Sequence, residues 1–372
     1  MASPATAEDG VTATEIVIGS HTALSGPVSV WGTGAAEAAR MRFNEANEKG
    51  IHGRKIRWIV EDNGWQVPRA VQAANKLLNN DKIFLMLNAL GTPMNNAVFA
   101  DQFAKGVPSI FPFSLARSMS EPLHPLKFAL FSTYYDQVRA TAKHFLEKEK
   151  KSKLCTMYLD TEFGHEIRDG VRDQAKASKV EIASEATYGP QDIEFFAPIT
   201  RLKSAGCDVV IMGSIIRDTI QSVGTAKKLG WNDVVFVGQT ASYDPIVAGA
   251  PGGVMEGYFS ATGYPYAYPD TSSDAIKAWF AKYKDKAKQE ANSSAQFGYV
   301  SADIVVKVLD AAGKDLTRAK FLAALESLEG YQPFFPGPAL NFSATQHQGS
   351  NVTFLAKVEG GRWKIVADNL HY

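Results

Sequence analysis

The stretch SHTALSGPVSVWGTG, residues 20–34, follows a β-like run at 15–19 (EIVIG) and leads into a helical pattern at 32–49. In open α/β sheets, a loop that carries a strand into a helix is where ligands sit, so the first question is what this loop holds. Gly32 and Gly34 resemble the start of a dinucleotide fingerprint, but the third glycine position is Glu37 and the glycines lie more than ten residues past the strand. The fingerprint needs its tight turn directly after the strand and a small residue where helix meets sheet. A carboxylate at that helix start would also repel a pyrophosphate. The loop holds no dinucleotide.

Outward from this stretch, strand and helix patterns alternate. Strand-like runs at 15–19, 55–61, 83–87 and 107–113 are separated by helical patterns at 32–49, 68–80 and 93–105. After FALFSTYYDQ the alternation restarts, with strands at 154–159, 180–186, 209–213 and 234–238 and helices at 164–177, 195–204 and 217–229. Near-continuous apolar strands between amphipathic helices predict parallel sheets covered on both faces, so the chain reads as two doubly wound arrays. A further strand is expected at 253–260, followed by a Tyr/Pro-rich connection and helices at 273–289, 295–312 and 317–327. The end reads as a hairpin turning at Gly360-Gly361.

Bulk properties narrow the function classes. A chain of 372 residues suits two domains better than one core. The 39 basic and 39 acidic residues balance, which leaves no electrostatic footprint for nucleic acid or an anionic membrane. No apolar run approaches the ~20 residues that span a bilayer. The opening MASPATAEDG has no basic start with an apolar run behind it. It is small, polar and expected to be disordered, with the look of a mature N-terminus behind an added Met. Cys155 and Cys207 each open a β-like run, and the preferred reading is two small buried hydrophobes rather than a disulfide or a metal site.

Catalytic signatures are missing. No GxxxxGK[ST], GxSxG, CxxC or HExxH occurs, and the histidines fall in no triad order. Glu61-Asp62 ends the second strand, where a helix cap and loop hydrogen bonding are favoured over acid–base chemistry. What remains is a set of strand-end loops: LSGPVSVWG, EDNGW, NALGTPMNN and FPFSLARS in the first array, LDTEFGHE, TYGPQDIEFF, GSIIRD and GQTASYD in the second. They carry hydroxyls and aromatics and few free charges, which suits a pocket for a small, largely apolar ligand with one or two polar ends.

Ser25-Gly26-Pro27, Gly32 with its Ala-rich helix, NEANEKGIHGRKI, EDN, AVQAANKLLNNDKI, GVPSIFPFS, FGHEIRDGV, ITRLKSAGCDVVIMG and TAKKLGW occur in one order between about residues 14 and 366. In that order they resemble the branched-chain amino acid (Leu/Ile/Val) binding proteins that serve ABC transporters. The resemblance implies a type I periplasmic binding fold, two doubly wound parallel-sheet lobes joined by a three-strand hinge, with the ligand cleft between them. It implies lobe one from 1–131 plus 263–336, which takes in the late helices, and lobe two from 132–262 plus 337–372, which takes in the hairpin. It further implies a periplasmic monomer that closes on its ligand and docks on ABC permease subunits at the inner membrane, without enzymatic activity or cofactor.

The family's amino-acid readers hold the ligand carboxylate with hydroxyls and amides after the third and fourth strands of lobe one, and the ammonium partly with an acidic residue after a lobe-two strand. On this sequence the first group falls on Ala89, Leu90, Gly91 and Thr92 and on Phe113, Ser114 and Leu115. The position resembling the acidic residue is Thr240, in the loop that also holds Tyr243. Trp31 and Phe163 take the aromatic positions, and the GSIIRD loop offers Ile215 and Arg217. A buried ammonium without a carboxylate would cost several kcal/mol. The expected ligand is therefore a small aromatic carboxylic acid, a benzoate or phenylpropenoate, with Trp31, Phe113 and Phe163 against the ring. Arg217 reads equally as a carboxylate clamp or as a solvated residue at a helix start. Branched-chain or other amino acids, with Asp218 or Asp244 reaching the cleft, and an extracytoplasmic sensor of the same fold are the alternatives.

Overall fold

The computed structural model describes residues 8–372. The opening MASPATA, expected to be disordered, lies outside them. Glu8 to Gly10, included in that expectation, are ordered instead: Glu8 pairs with Arg318 at 3.3 Å and the Gly10 carbonyl accepts Val17 N.

The chain runs through β1 (Glu15–Thr22), α1 (Ser29–Lys49), β2 (Lys55–Asp62), α2 (Val67–Asn79), β3 (Leu85–Leu87), α3 (Thr92–Ala104), β4 (Ser109–Ile110) and β5 (Lys127–Phe128). These five strands form an all-parallel sheet in the order β2-β1-β3-β4-β5. The strand expected at 107–113 is cut to two residues, because Phe111 takes a positive φ of 49° and Pro112 has no N–H to donate. Pairing resumes beyond it, with Phe113 N on the Ala89 carbonyl at 2.9 Å.

The second array opens with α4 (Tyr134–Glu147), a helix absent from the sequence reading. Thr133 caps it, accepting Asp136 N while donating to the Asp136 carboxylate. There follow β6 (Leu154–Leu159), α5 (Glu162–Ala177), β7 (Ser184–Tyr188), α6 (Phe196–Ser204), β8 (Val209–Gly213), α7 (Ile216–Lys228), β9 (Val235–Gly238), α8 (Pro245–Ala248) and β10 (Phe259–Thr262). β7 starts later than 180 because Val180 N still bonds to the Ala175 carbonyl, closing α5 beyond a left-handed Lys179. The strand expected at 253–260 is mostly turn: Gly252, Gly253 and Gly257 all have positive φ.

Next come α9 (Asp274–Ala287), α10 (Ser293–Ala312) and α11 (Arg318–Glu326), then the hairpin β11 (Phe354–Glu359) and β12 (Arg362–Ala367). The hairpin extends the second sheet, whose order is β12-β11-β10-β9-β8-β6-β7; all neighbours are parallel except at β10-β11 and β11-β12. The late helices belong to the first lobe. α10 lies on α1 so closely that a Cβ on Gly298 would come 2.3 Å from the Ala35 carbonyl oxygen, an approach only glycine permits.

Three segments cross between the lobes side by side. Ala129 and Leu130 exchange backbone hydrogen bonds with His347, Gly349 and Ser350, and Phe131 packs on Tyr264 with ring centroids 4.7 Å apart. Residues 340–347, expected with the second lobe, lie on the first: Phe342 packs on Phe111 and Phe128, and Leu340 pairs with Tyr331. The third crossing therefore falls near 348–350.

The two cysteines are bonded, which corrects the sequence reading. β6 and β8 are parallel neighbours, and this brings Cys155 and Cys207 to a Cα–Cα distance of 5.9 Å and into a disulfide.

Candidate functional site

In each sheet the strand order reverses beside the first strand of its array, β1 in one and β6 in the other. At such a switch point, loops leave in opposite directions and open a crevice beyond the strand ends. Here two crevices face one another, and a cleft lies between them.

The opening loop is fixed from below. Asp62, at the end of β2, accepts from Leu24 N, Ser25 N, Ser25 Oγ, Gly64 N and Arg69. Burial alone would raise its carboxyl, but the Ser25 hydroxyl, the two loop amides and the Arg69 guanidinium hold it down at about 2. The loop hydrogen bonding expected of Glu61-Asp62 is present. The helix cap is not, since Gln66 precedes α2; Glu61 pairs with Lys76. With the loop pinned, the first turn of α1 turns Trp31 into the cleft, edge-on to Phe113 at 6.4 Å.

The loop after β3 is held as firmly. Asn95 Nδ2 donates to the carbonyls of Ala89 and Gly91, Asn63 Nδ2 to that of Leu90, and Leu90 N to that of His21. Gly91 has φ +106°, and a Cβ there would meet Met94 Sδ at 2.6 Å. That turn delivers Thr92 to the first position of α3, where its hydroxyl bonds that of Ser114 at 2.8 Å.

The cleft walls collect Trp31, Leu90, Gly91, Thr92, Phe113, Ser114, Leu115, Phe163, Ile215 and Thr240 from the residues singled out in the sequence. Three of the expected residues stay outside the lining. Ala89 lies behind it, its carbonyl occupied by Phe113 N and Asn95. Arg217 turns away from the cleft, bonded to Asp218 at 2.7 Å and to the Asp192 carbonyl. Tyr243 is buried beneath the wall, where its hydroxyl accepts Tyr266 N and its ring packs on Trp363. Asp218 is committed to Arg217 and likewise stays outside the lining.

The structure adds Trp65, Tyr134, Ala241, Tyr264, Ser293 and Phe297. Trp65 and Ala241 sit in EDNGW and GQTASYD, loops already marked by their place after a strand. Tyr134 opens the unread helix α4. Tyr264, Ser293 and Phe297 arrive from a crossing segment and from α10, so nothing local in the sequence marks them.

No charged side chain lines the cleft among the described residues. Amide donors come instead from helix starts: Thr92 is the first residue of α3, Phe163 is the second of α5, and Ile215 caps α7. The unpaired N–H groups and aligned dipoles at such ends favour an anionic group. One carboxylate lies just behind the wall. Asp244 accepts Ser293 Oγ at 2.6 Å, and burial pushes its carboxyl up to about 6 against the hydrogen bonds from Ser293 and Ile246 N. Among the described residues no group of three or more His, Cys, Asp or Glu side chains is placed to hold a metal.

A sequence model described as periplasmic binding protein matches residues 15–362. The leucine-specific-binding protein of Salmonella typhimurium is 24% identical over 281 residues, 74% of each chain. A fatty acid ABC transporter substrate-binding protein from Thermomonospora curvata superposes with a TM-score of 0.86 at 23% identity, covering 99% of this chain and 95% of that one. An ABC transporter solute-binding protein from R. palustris in complex with benzoate gives a TM-score of 0.83 at 18% identity, covering 95% and 96%. These proteins share the bilobed α/β fold and are substrate-binding transport proteins, not enzymes.

Proposed function

The chain belongs to the periplasmic binding protein family, and from that premise we propose that it is the periplasmic solute-binding component of an ABC importer. It takes a small aromatic carboxylic acid of the benzoate or phenylpropenoate type into the interlobe cleft and closes on it. In this reading the lobes divide at 131/132, at 262/263 and at a third crossing near 348–350. The protein works as a monomer and hands its ligand to permease subunits at the inner membrane. The buried Cys155–Cys207 disulfide supports an oxidising compartment.

One observation carries the choice of ligand: the cleft is walled by Trp31, Trp65, Phe113, Tyr134, Phe163, Tyr264 and Phe297, with no carboxylate in the lining. An aromatic ring burying 150–250 Å² gains about 4–6 kcal/mol at ~25 cal/mol per Å², before association costs. An α-amino acid entering the same cleft would lose the solvation of an ammonium that finds no counter-charge. The acid's own carboxylate is met by the Thr92–Ser114 hydroxyl pair at the start of α3.

A second reading, an amino-acid ligand, draws support from Asp244, one side chain behind the wall, and from the leucine-binding relative. Calorimetry separates the two. Benzoates or phenylpropenoates should bind with micromolar or better affinity and at least tenfold tighter than leucine, isoleucine or valine, about 1.4 kcal/mol or more. Tight leucine binding with no heat from aromatic acids would replace the first reading with the second.

A further inference from the structure

The hydroxyl protons around the cleft are not equally free. Ser293 lines the cleft and donates its proton to the Asp244 carboxylate at 2.6 Å. Asp244 is 1% exposed and also accepts Ile246 N, so when ionised it offers Ser293 only acceptor oxygens. Thr240 repeats the arrangement on the second lobe. Its hydroxyl and its amide both donate to Gln137 Oε1, at 2.9 and 3.0 Å. Gln137 is fully buried and its Nε2 donates to the Ser132 carbonyl at 2.8 Å, which fixes which end of the amide faces Thr240. With their protons spent inward, Ser293 and Thr240 have only lone pairs left for a ligand. They are acceptors.

The Thr92–Ser114 pair has the opposite polarity. Ser114 Oγ already accepts Ala116 N, and the mutual bond uses one of the pair's two protons. One hydroxyl proton remains to be donated, beside the N-terminus of α3. A carboxylate satisfies that wall but leaves the Ser293 and Thr240 oxygens unmatched, and a buried acceptor without a donor is costly.

We propose that the acid bound in this cleft is phenolic: its ring carries a hydroxyl whose single proton goes to Ser293, with Thr240 the alternative acceptor. Asp244 and Gln137 act as positioning residues that set the direction of those hydroxyls. A neutral donor fits these uncharged oxygens better than an ammonium, whose charge they would leave unpaired. The inference rests on the aromatic-acid reading above and refines it.

The test uses matched sets of benzoates and phenylpropenoates, each as parent, hydroxylated and methoxylated acid, titrated calorimetrically into the full chain. The best hydroxylated acid should bind about tenfold or more tighter than its parent, the size of one well-made hydrogen bond, and the methoxy analogue no tighter than the parent. Ser293→Ala should erase most of that preference, read as the ratio of hydroxylated to parent affinity. Because Ser293→Ala also strips a partner from Asp244, Thr240→Val is measured alongside it and should reduce the same preference. Equal binding of parent and hydroxylated acids, or variants that weaken both alike, would overturn the phenolic assignment and leave the aromatic-acid reading intact. If only amino acids bind, both fall.

Discussion

Arg117 of the first lobe reaches Glu166 of the second, Nε to Oε2 at 2.9 Å, while its guanidinium lies 3.8 Å above the ring of Tyr135. Asn96 on α3 bonds Glu162 on α5 beside it. Neither bond is made within one lobe, so under the closure proposed above both would be lost as the cleft opens and would favour the closed arrangement.

Glu166→Gln should therefore weaken ligand binding by about threefold, the effect of losing a half-exposed ion pair worth ~0.6 kcal/mol. The loss should appear in the dissociation rate, because the pair acts on the closed state and not on the ligand. Stopped-flow dissociation measures it; an unchanged rate would show that the pair does not bias closure.

Trp31→Ala should cost more than 1 kcal/mol of aromatic-acid affinity. Trp31 forms one wall and holds Phe113 edge-on, and Phe113 in turn packs on Phe297 at 4.8 Å. Removing an aromatic anchor at the centre of a desolvated pocket has that magnitude. Calorimetry showing undiminished affinity would move the ring site elsewhere in the cleft.

His21 and Asp244 pull the pH dependence of stability in opposite directions. Burial holds the His21 imidazole down at about 4, so the folded state resists a proton that the unfolded chain takes up near 6.5. Its contribution is complete above 6.5 and is lost as pH falls toward 4. Asp244 is pushed up to about 6 from an unfolded 3.8. The folded state there keeps a proton that the unfolded chain releases, so its contribution is lost as pH rises from 3.8 to 6. Each amounts to roughly 3 kcal/mol, and over the shared window they offset one another. Asp244→Asn removes the falling component, so the Tm of the variant should climb more steeply with pH between about 4 and 6 than that of the wild type. Parallel curves would contradict this assignment of charges.

The Cys155–Cys207 bond closes a loop with a sequence separation of 52 residues. Cross-linking a loop of that length stabilises by about 4 kcal/mol in the chain-entropy account. Cys155→Ala with Cys207→Ala should lower the urea midpoint, with a slope that is no shallower because the unfolded chain loses a constraint. A variant as stable as the wild type would mean the bond adds nothing beyond the packing of two small side chains.

The parallel strands and most of the helices were legible, because period and apolar run length report burial directly: 154–159 and 209–213 match β6 and β8 residue for residue. α4 is marked in the sequence only by its cap, Thr133 with Asp136. On the first lobe, the loops after β1, β3 and β4 could be read because any strand end in such a sheet faces the ligand. Ser293 and Phe297 could not. Their position depends on α10 returning to α1 from more than 250 residues away, and no local pattern encodes that return. Arg217 was ambiguous for a related reason, since its partner Asp218 is adjacent in sequence and competes with any ligand for the guanidinium.

The close seating of α10 on α1 also ties the first lobe to a distant part of the chain. Trp31, Gly34, Ala35 and their neighbours on α1 precede by more than 250 residues the helix α10 (Ser293–Ala312) that covers them. Without α10 the first lobe has its five strands but leaves this face of α1 uncovered.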